Sequence, residues 1–179
     1  MVAKEDNELV SEVIRGNVSA FEILVDRYQK IIFKMVLRMV GNNETAKDLT
    51  QDIFVKAFEK MGTFNFNFRF FSWIYRIGIN ETLTWIRRNP ATDQLQEVEN
   101  IPLEQYADPE RKRVILEHGL QELSTDYRVL LLLKYYDGLT YEEISDINGL
   151  SVERVRSRLF IAREQLRKIL LKKGFLEDE

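Results

Sequence analysis

The amino-acid sequence predicts an all-α protein: two small helical domains, an N-terminal helical bundle and a C-terminal helix-turn-helix domain, joined by an acidic linker. Three observations carry this. Apolar residues recur at helical spacing in both halves, and the one alternating run, Phe64 to Phe70, has no strand partner elsewhere; a lone strand is unstable. All three prolines (Pro90, Pro102, Pro109) fall within residues 89–110, which hold six acids and no Lys or Arg. The flanks are mildly basic, with 13 basic against 11 acidic residues over 1–88 and 13 against 12 over 111–179. Clustered prolines, one sign of charge and weak periodicity mark an exposed linker. The expected boundaries are 1–88, 89–112 and 113–179.

Composition narrows the function classes. With 179 residues, 45% apolar and 31% charged, the chain is too apolar to be disordered and too charged for a membrane protein. No uncharged apolar run is long enough to span a bilayer and no signal-peptide pattern opens the sequence, so no membrane insertion and a cytoplasmic location are expected. There is no cysteine and one histidine, His118. That excludes disulfides, thiol nucleophiles, iron–sulfur clusters and Cys/His zinc sites. No glycine-rich phosphate loop and no cluster of metal ligands is present either. No catalytic residue, metal or cofactor is therefore expected, and His118 reads as a helix-surface residue.

The first strongly periodic helix carries Phe21, Leu24, Val25, Tyr28, Ile31, Ile32, Met35, Val36 and Met39 on one face. Gly41, Asn42 and Asn43 stop it. A second helix begins near Glu44, with Ala46, Leu49, Ile53 and Ala57 as its inner stripe. At about 100° per residue, Asp48, Gln51, Asp52, Val55 and Glu59 project the other way. Such a face is either simply solvated or a dock for a basic partner with Val55 as the apolar contact. Periodicity alone favours solvation.

Residues 61–80 read MGTFNFNFRFFSWIYRIGIN. A loop over 62–69 leads into a helix from about Phe70 to Arg88. Phe64, Phe70, Trp73 and Ile77 are expected to plug the core, which leaves Asn65, Asn67 and Arg69 unexplained. Aromatics interleaved with amides and a cation suit a pocket for an unstacked base, because ring faces stack while amides meet base edges. Arg76, Arg87 and Arg88 further along the helix can meet phosphates.

In the second half, Leu123 to Tyr136 reads as a buried helix ended by Asp137-Gly138. Thr140 and Glu143 form a capping box for a short helix, Tyr141 to Ile147. Asn148-Gly149 makes the turn, and Ser151 caps a long helix. The buried seam of that helix is Val152, Val155, Leu159, Ala162, Leu166 and Ile169. A helix, a tight turn and then a basic helix is the plan whose second helix enters the DNA major groove. Glu153, Ser157, Phe160 and Ile161 lie opposite the seam, with Arg154, Arg156 and Arg158 on its shoulders. The arginines cluster where the helix dipole disfavours cations, which points to an external anion.

Taken together, the chain resembles an extracytoplasmic-function (ECF) sigma factor of bacterial RNA polymerase over about residues 17–88 and 120–171. The run AFEILVDRYQKIIFKMVLRMVGNNETAKDLTQDIFVKAF is similar to the family's first conserved stretch, with its DLxQ[DE]xF signature at Asp48, Gln51, Asp52 and Phe54. FSWIYRIGIN resembles the promoter-melting helix, and GLTYEEISDINGLSVERVRSRLFIARE the C-terminal helix-turn-helix. Both blocks in this order across a short tether are specific. The resemblance implies a promoter-specificity subunit rather than an enzyme. Its acidic face would dock on the clamp helices of the β′ subunit of core polymerase through Asp48, Gln51 and Asp52, with Phe54 and Val55 beside them. The loop of Asn65, Phe66, Asn67, Phe68 and Arg69 would capture a base flipped from the minus-ten element. Arg76, Asn80, Arg87 and Arg88 would hold DNA along the following helix. Glu153, Arg154, Arg156, Ser157, Arg158 and Phe160 would read the minus-thirty-five element.

The linker would thread the basic channel of the polymerase, formed with its β subunit. The acidic stretch 89–110, 22 residues long, reaches about 70–80 Å extended, enough for two duplex turns. Family members are often held by an anti-sigma factor that masks both domains. Phe71, Ile79 and Ile161 stand where the family usually carries basic residues. Ser124-Thr125 replaces a common Leu-Pro turn, and Thr84 a common Asp. The rival reading is a regulator binding duplex DNA through 120–171 alone, which leaves the aromatic loop and the acidic face without work.

Overall fold

The computed structural model describes residues 4–89 and 109–175. The tether expected at 89–112 falls almost wholly outside them. No strand occurs among the described residues, and the chain divides into two compact units, the first holding residues 4–89 and the second most of 109–175.

The first unit holds helices α1 (Asp6–Ile14), α2 (Val18–Val40), α3 (Asn43–Glu59) and α4 (Phe70–Arg88), with a 3₁₀ turn at Met61–Thr63. α2 is the centre, packed by α1, α3 and α4. It buries Ala20, Leu24, Tyr28, Ile32, Met35, Val36 and Met39, a stripe at helical spacing. Of the periodic set expected inside, Ile31 instead stays exposed. Gly41 closes α2, its N–H donating to the Leu37 carbonyl at 2.8 Å, and the Asn42 side chain caps α3 by accepting from the Thr45 N–H at 3.0 Å. In α3 the inner stripe Ala46, Leu49, Ile53 and Ala57 is buried as expected.

α4 runs over the expected Phe70–Arg88, but its phase differs from the sequence expectation. Phe70, Ile74, Tyr75, Gly78, Ile79 and Thr82 are buried, while Trp73 and Ile77 are only half-buried. Residues 70–79 are apolar or aromatic apart from Ser72, Arg76 and Gly78, so periodicity does not choose the inner face of the helix. Gly78 is buried against α2, where an added Cβ would stand 2.6 Å from Met35 Cε, the movable end of that side chain.

Helix α1 was not foreseen from the periodicity. It buries Leu9, Val10 and Val13, and Asp6 at its start pairs with Arg27 and accepts from the Tyr28 hydroxyl. Burial, helped by the Asp6 carboxylate, holds the Tyr28 hydroxyl well above its ordinary value of 10.0. Above about pH 10 the unfolded chain loses this proton while the fold retains it, so stability falls as pH rises. The denaturant midpoint of the N-terminal helices should therefore drop above about pH 10, and Tyr28→Phe should flatten that drop. An equal slope in the variant would assign the loss to other groups.

The second unit holds α5 (Pro109–Glu122), α6 (Thr125–Leu131), most of α7 (Tyr141–Asn148) and α8 (Val152–Lys172). Pro109–Lys112, assigned to the linker on its prolines, opens α5 instead, because proline is tolerated at a first helical position. The single helix expected over Leu123–Tyr136 is also broken differently. Leu123 follows α5, Ser124 takes an extended backbone (φ −53°, ψ 144°), and α6 starts at Thr125. α6 then widens into a π turn at Leu132–Tyr136, closed by the Asp137 N–H on the Leu132 carbonyl at 3.1 Å. His118 is half-buried rather than fully on the surface.

The capping box is present as read: Thr140 N–H donates to Glu143 Oε2 at 3.0 Å and Glu143 N–H to Thr140 Oγ1 at 3.1 Å. Gly149 turns the chain at φ +66°, a conformation that side-chain-bearing residues rarely adopt. Ser151 then caps α8, accepting from the Arg154 N–H at 3.4 Å. Val155, Leu159 and Ala162 are buried, and Leu166 and Ile169 half-buried.

Candidate functional site

The predicted residues fall on three surfaces. On α3, Asp48, Gln51, Asp52, Val55 and Glu59 are all exposed, Val55 at 59%. They form a carboxylate face around one apolar side chain, and no cation among the described residues engages Asp48 or Asp52. Phe54 does not belong to it. It is 6% exposed, with its ring edge-on to Phe21 at 6.3 Å, on the flank of α3 that packs against α2. Its place in the signature is structural. A groove of about 350 Å³ runs beside the face between α3 and α4, lined by Leu49, Asp52, Val55, Trp85 and Arg88 among others. The Lys56–Glu81 ion pair lies within it.

The second surface is the turn before α4. Asn65, Phe66, Asn67, Phe68 and Arg69 are five consecutive exposed residues. Phe66 and Phe68 keep 46% and 48% of their surface in water, unusual for phenylalanine in a chain with a complete core beside it. The core side of the same alternation is Phe64 and Phe70. Phe64 packs against Phe66, Phe70 and Trp73 with centroids 5.1, 6.0 and 5.5 Å apart. The turn is thus anchored on an aromatic cluster, and its outward rings stand ready for a flat partner. Along α4, Arg76, Asn80 and Arg87 are exposed and spaced 4 and 7 apart, which sets them on one stripe. Arg88 departs from that stripe and lines the groove against α3. The α4 stripe extends about 25 Å beyond the turn, at about 1.5 Å per residue.

The third surface is α8. Glu153, Arg154, Arg156, Ser157, Arg158, Phe160 and Ile161 are all exposed, Phe160 at 58%. Glu153 is held differently from its neighbours. Its own N–H and the Ser151 hydroxyl hold its carboxyl below the usual carboxylate range. The arginines remain as the outward charge. Sequence reasoning missed the residues that hold them. The Arg156 guanidinium lies 5.3 Å from the Tyr141 ring centroid, and Lys134 shares that ring at 4.6 Å while donating to the Leu139 carbonyl at 3.0 Å. Arg163 donates to the Tyr135 hydroxyl at 2.8 Å. The signal available was Tyr135-Tyr136, two tyrosines at the end of an otherwise buried apolar run.

Among the described residues no group of His, Cys, Asp and Glu could hold a metal, and no helix is long and apolar enough to cross a membrane. Two sequence families match the chain: Sigma-70 region 2 over residues 24–92 and Sigma-70, region 4 over residues 113–166. The RNA polymerase sigma-H factor of Pseudomonas aeruginosa is 33% identical, over 95% of this chain and 96% of that protein. The ECF RNA polymerase sigma-E factor of Escherichia coli is 34% identical, over 90% and 92%.

The chain belongs to the ECF sigma factors of RNA polymerase.

The structure of CnrH in complex with the cytosolic domain of CnrY matches this sigma factor with a TM-score of 0.67 and 27% identity, covering 92% of this chain and 96% of that one. The sigma factor RpoE of Bartonella quintana, solved with the anti-sigma factor NepR, shares the fold at a TM-score of 0.61 and 23% identity, over 84% and 96%. Two sigma regions in one chain support the sigma-factor reading over a plain duplex-binding regulator.

Proposed function

We propose that the three surfaces divide the work of promoter recognition. Asp48, Gln51, Asp52 and Val55 on α3 dock on the β′ subunit of core polymerase. The turn Asn65–Arg69 takes a base flipped out of the minus-ten element, while Arg76, Asn80 and Arg87 hold the phosphates of that strand along α4. Arg154, Arg156, Ser157, Arg158 and Phe160 on α8 read the minus-thirty-five duplex: arginine takes guanine edges and phenylalanine packs on a thymine methyl. Arg88, in the groove beside Asp52, belongs to the docking side rather than to DNA. The chain itself makes and breaks no bond; the polymerase does. It works in the cytoplasm, and an anti-sigma protein is a further partner, covering the exposed faces of α3 and α8.

The observation that carries this reading is the turn itself. Two half-exposed phenyl rings flank an amide and stand next to a complete core, and stacking on such rings offsets the few kcal/mol that unstacking a base costs. Each DNA surface is small, so tight binding needs both to be fixed on one scaffold at high effective concentration. In about 0.15 M salt, mobility shifts on a promoter fragment should show weak binding by the free chain and tight binding once core polymerase is added. Tight, specific binding by the chain alone would contradict the scheme.

A further inference from the structure

The two asparagines of the turn are used differently by the backbone. Asn65 Oδ1 accepts the Asn67 N–H at 2.9 Å, and the Asn65 carbonyl accepts the Phe68 N–H at 3.0 Å. Residues 65–68 therefore close as a turn with Asn67 at its third position, braced by the Asn65 side chain. Among the described residues nothing bonds the side-chain amide of Asn67, which is exposed between Phe66 and Phe68. Phe66 is tied edge-on to the buried Phe64, so the turn stands on the core rather than swinging free.

An unstacked base presents a donor and an acceptor side by side, and one carboxamide meets both only when its oxygen and its nitrogen are both available. The Asn65 oxygen uses one of its two acceptor sites on the Asn67 N–H, which holds its amide against the turn; the Asn67 amide is not held in this way. We infer that Asn67 is the base-reading amide of this sigma factor, between the ring faces of Phe66 and Phe68, and that Asn65 is a positioning residue that sets the turn. The inference rests on the turn being the minus-ten capture site.

Aspartate separates the two roles, because a carboxylate accepts but does not donate. Asn65→Asp keeps the acceptor that the Asn67 N–H needs, whereas Asn67→Asp removes the donor that the base needs. Both variants add the same charge at exposed positions, so each controls for the other. The measurement is the lifetime of complexes between core polymerase carrying each variant and forked promoter fragments, with each of the four bases in turn at the unpaired minus-ten positions. Asn67→Asp and Asn67→Ala should lower the preference for the best base over the worst about tenfold or more. Asn65→Asp should leave the preference unchanged, and Asn65→Ala should shorten lifetimes on all four bases alike. The assignment is overturned if Asn65→Asp flattens the preference and Asn67→Asp preserves it. If alanine at Asn65, Phe66, Asn67 and Phe68 changes neither preference nor lifetime, the capture-site reading itself fails. Co-elution of every variant with core polymerase verifies that each is folded.

Discussion

Replacing Asp48 and Asp52 together with arginine is expected to release the chain from core polymerase without unfolding it. Both side chains are exposed on α3, one turn apart and opposite the buried stripe of Ala46, Leu49, Ile53 and Ala57. Neither contributes to the core, and arginine is a good helix former. The fold should change by no more than the few tenths of a kcal/mol typical of surface substitutions. At a docked interface the same change sets like charges against each other, which costs several kcal/mol. Co-elution should be lost while the thermal transition stays in place. Phe54→Ala is the converse case. Its ring is inside against Phe21, so the loss should be of stability, about 3–5 kcal/mol. If Phe54→Ala melted normally and only failed to bind, the signature phenylalanine would have to be returned to the docking face.

Phe70→Ala and Phe68→Ala should part just as sharply, although two positions separate them. Phe70 is 1% exposed and packs against Tyr28, Phe64 and Trp73 with ring centroids 5.5, 6.0 and 5.6 Å away. Removing it leaves a cavity worth about 3–5 kcal/mol, against a total domain stability of about 5–15 kcal/mol. The N-terminal transition should fall steeply in denaturant. Phe68 is 48% exposed; its removal should leave that transition in place and instead slow promoter opening, read by the reactivity of unpaired thymines to permanganate. Normal opening by a stable Phe68→Ala chain would remove the outward rings from the mechanism.

This contrast also marks how far the sequence could be read. A strictly alternating run without a strand partner had to be irregular, so the loop and the burial of Phe64 and Phe70 were legible. The inner face of α4 was not, because residues 70–79 are apolar on almost every side. Ile74 and Tyr75, rather than Trp73 and Ile77, are the fully buried pair. The acidic face of α3 was visible from spacing, but a solvated face and a dock share one pattern, and spacing alone does not separate them. Phe54 misled because a signature does not distinguish a residue kept for packing from one kept for contact. The helix-turn-helix was the clearest element, since the capping box at Thr140, the turn at Gly149 and the seam of α8 all pointed the same way. The support beneath it was invisible: Tyr141 meets Lys134 and Arg156 across elements whose packing periodicity does not encode.

The central claim is that this chain confers promoter choice on a polymerase that lacks it. The most direct test mixes the purified chain with bacterial core RNA polymerase, resolves the mixture by size-exclusion chromatography, and transcribes a library of genomic fragments with the pooled complex. Co-elution is expected, with new transcripts whose start sites share two upstream motifs. Failure to co-elute, with duplex binding by the chain alone, would contradict it.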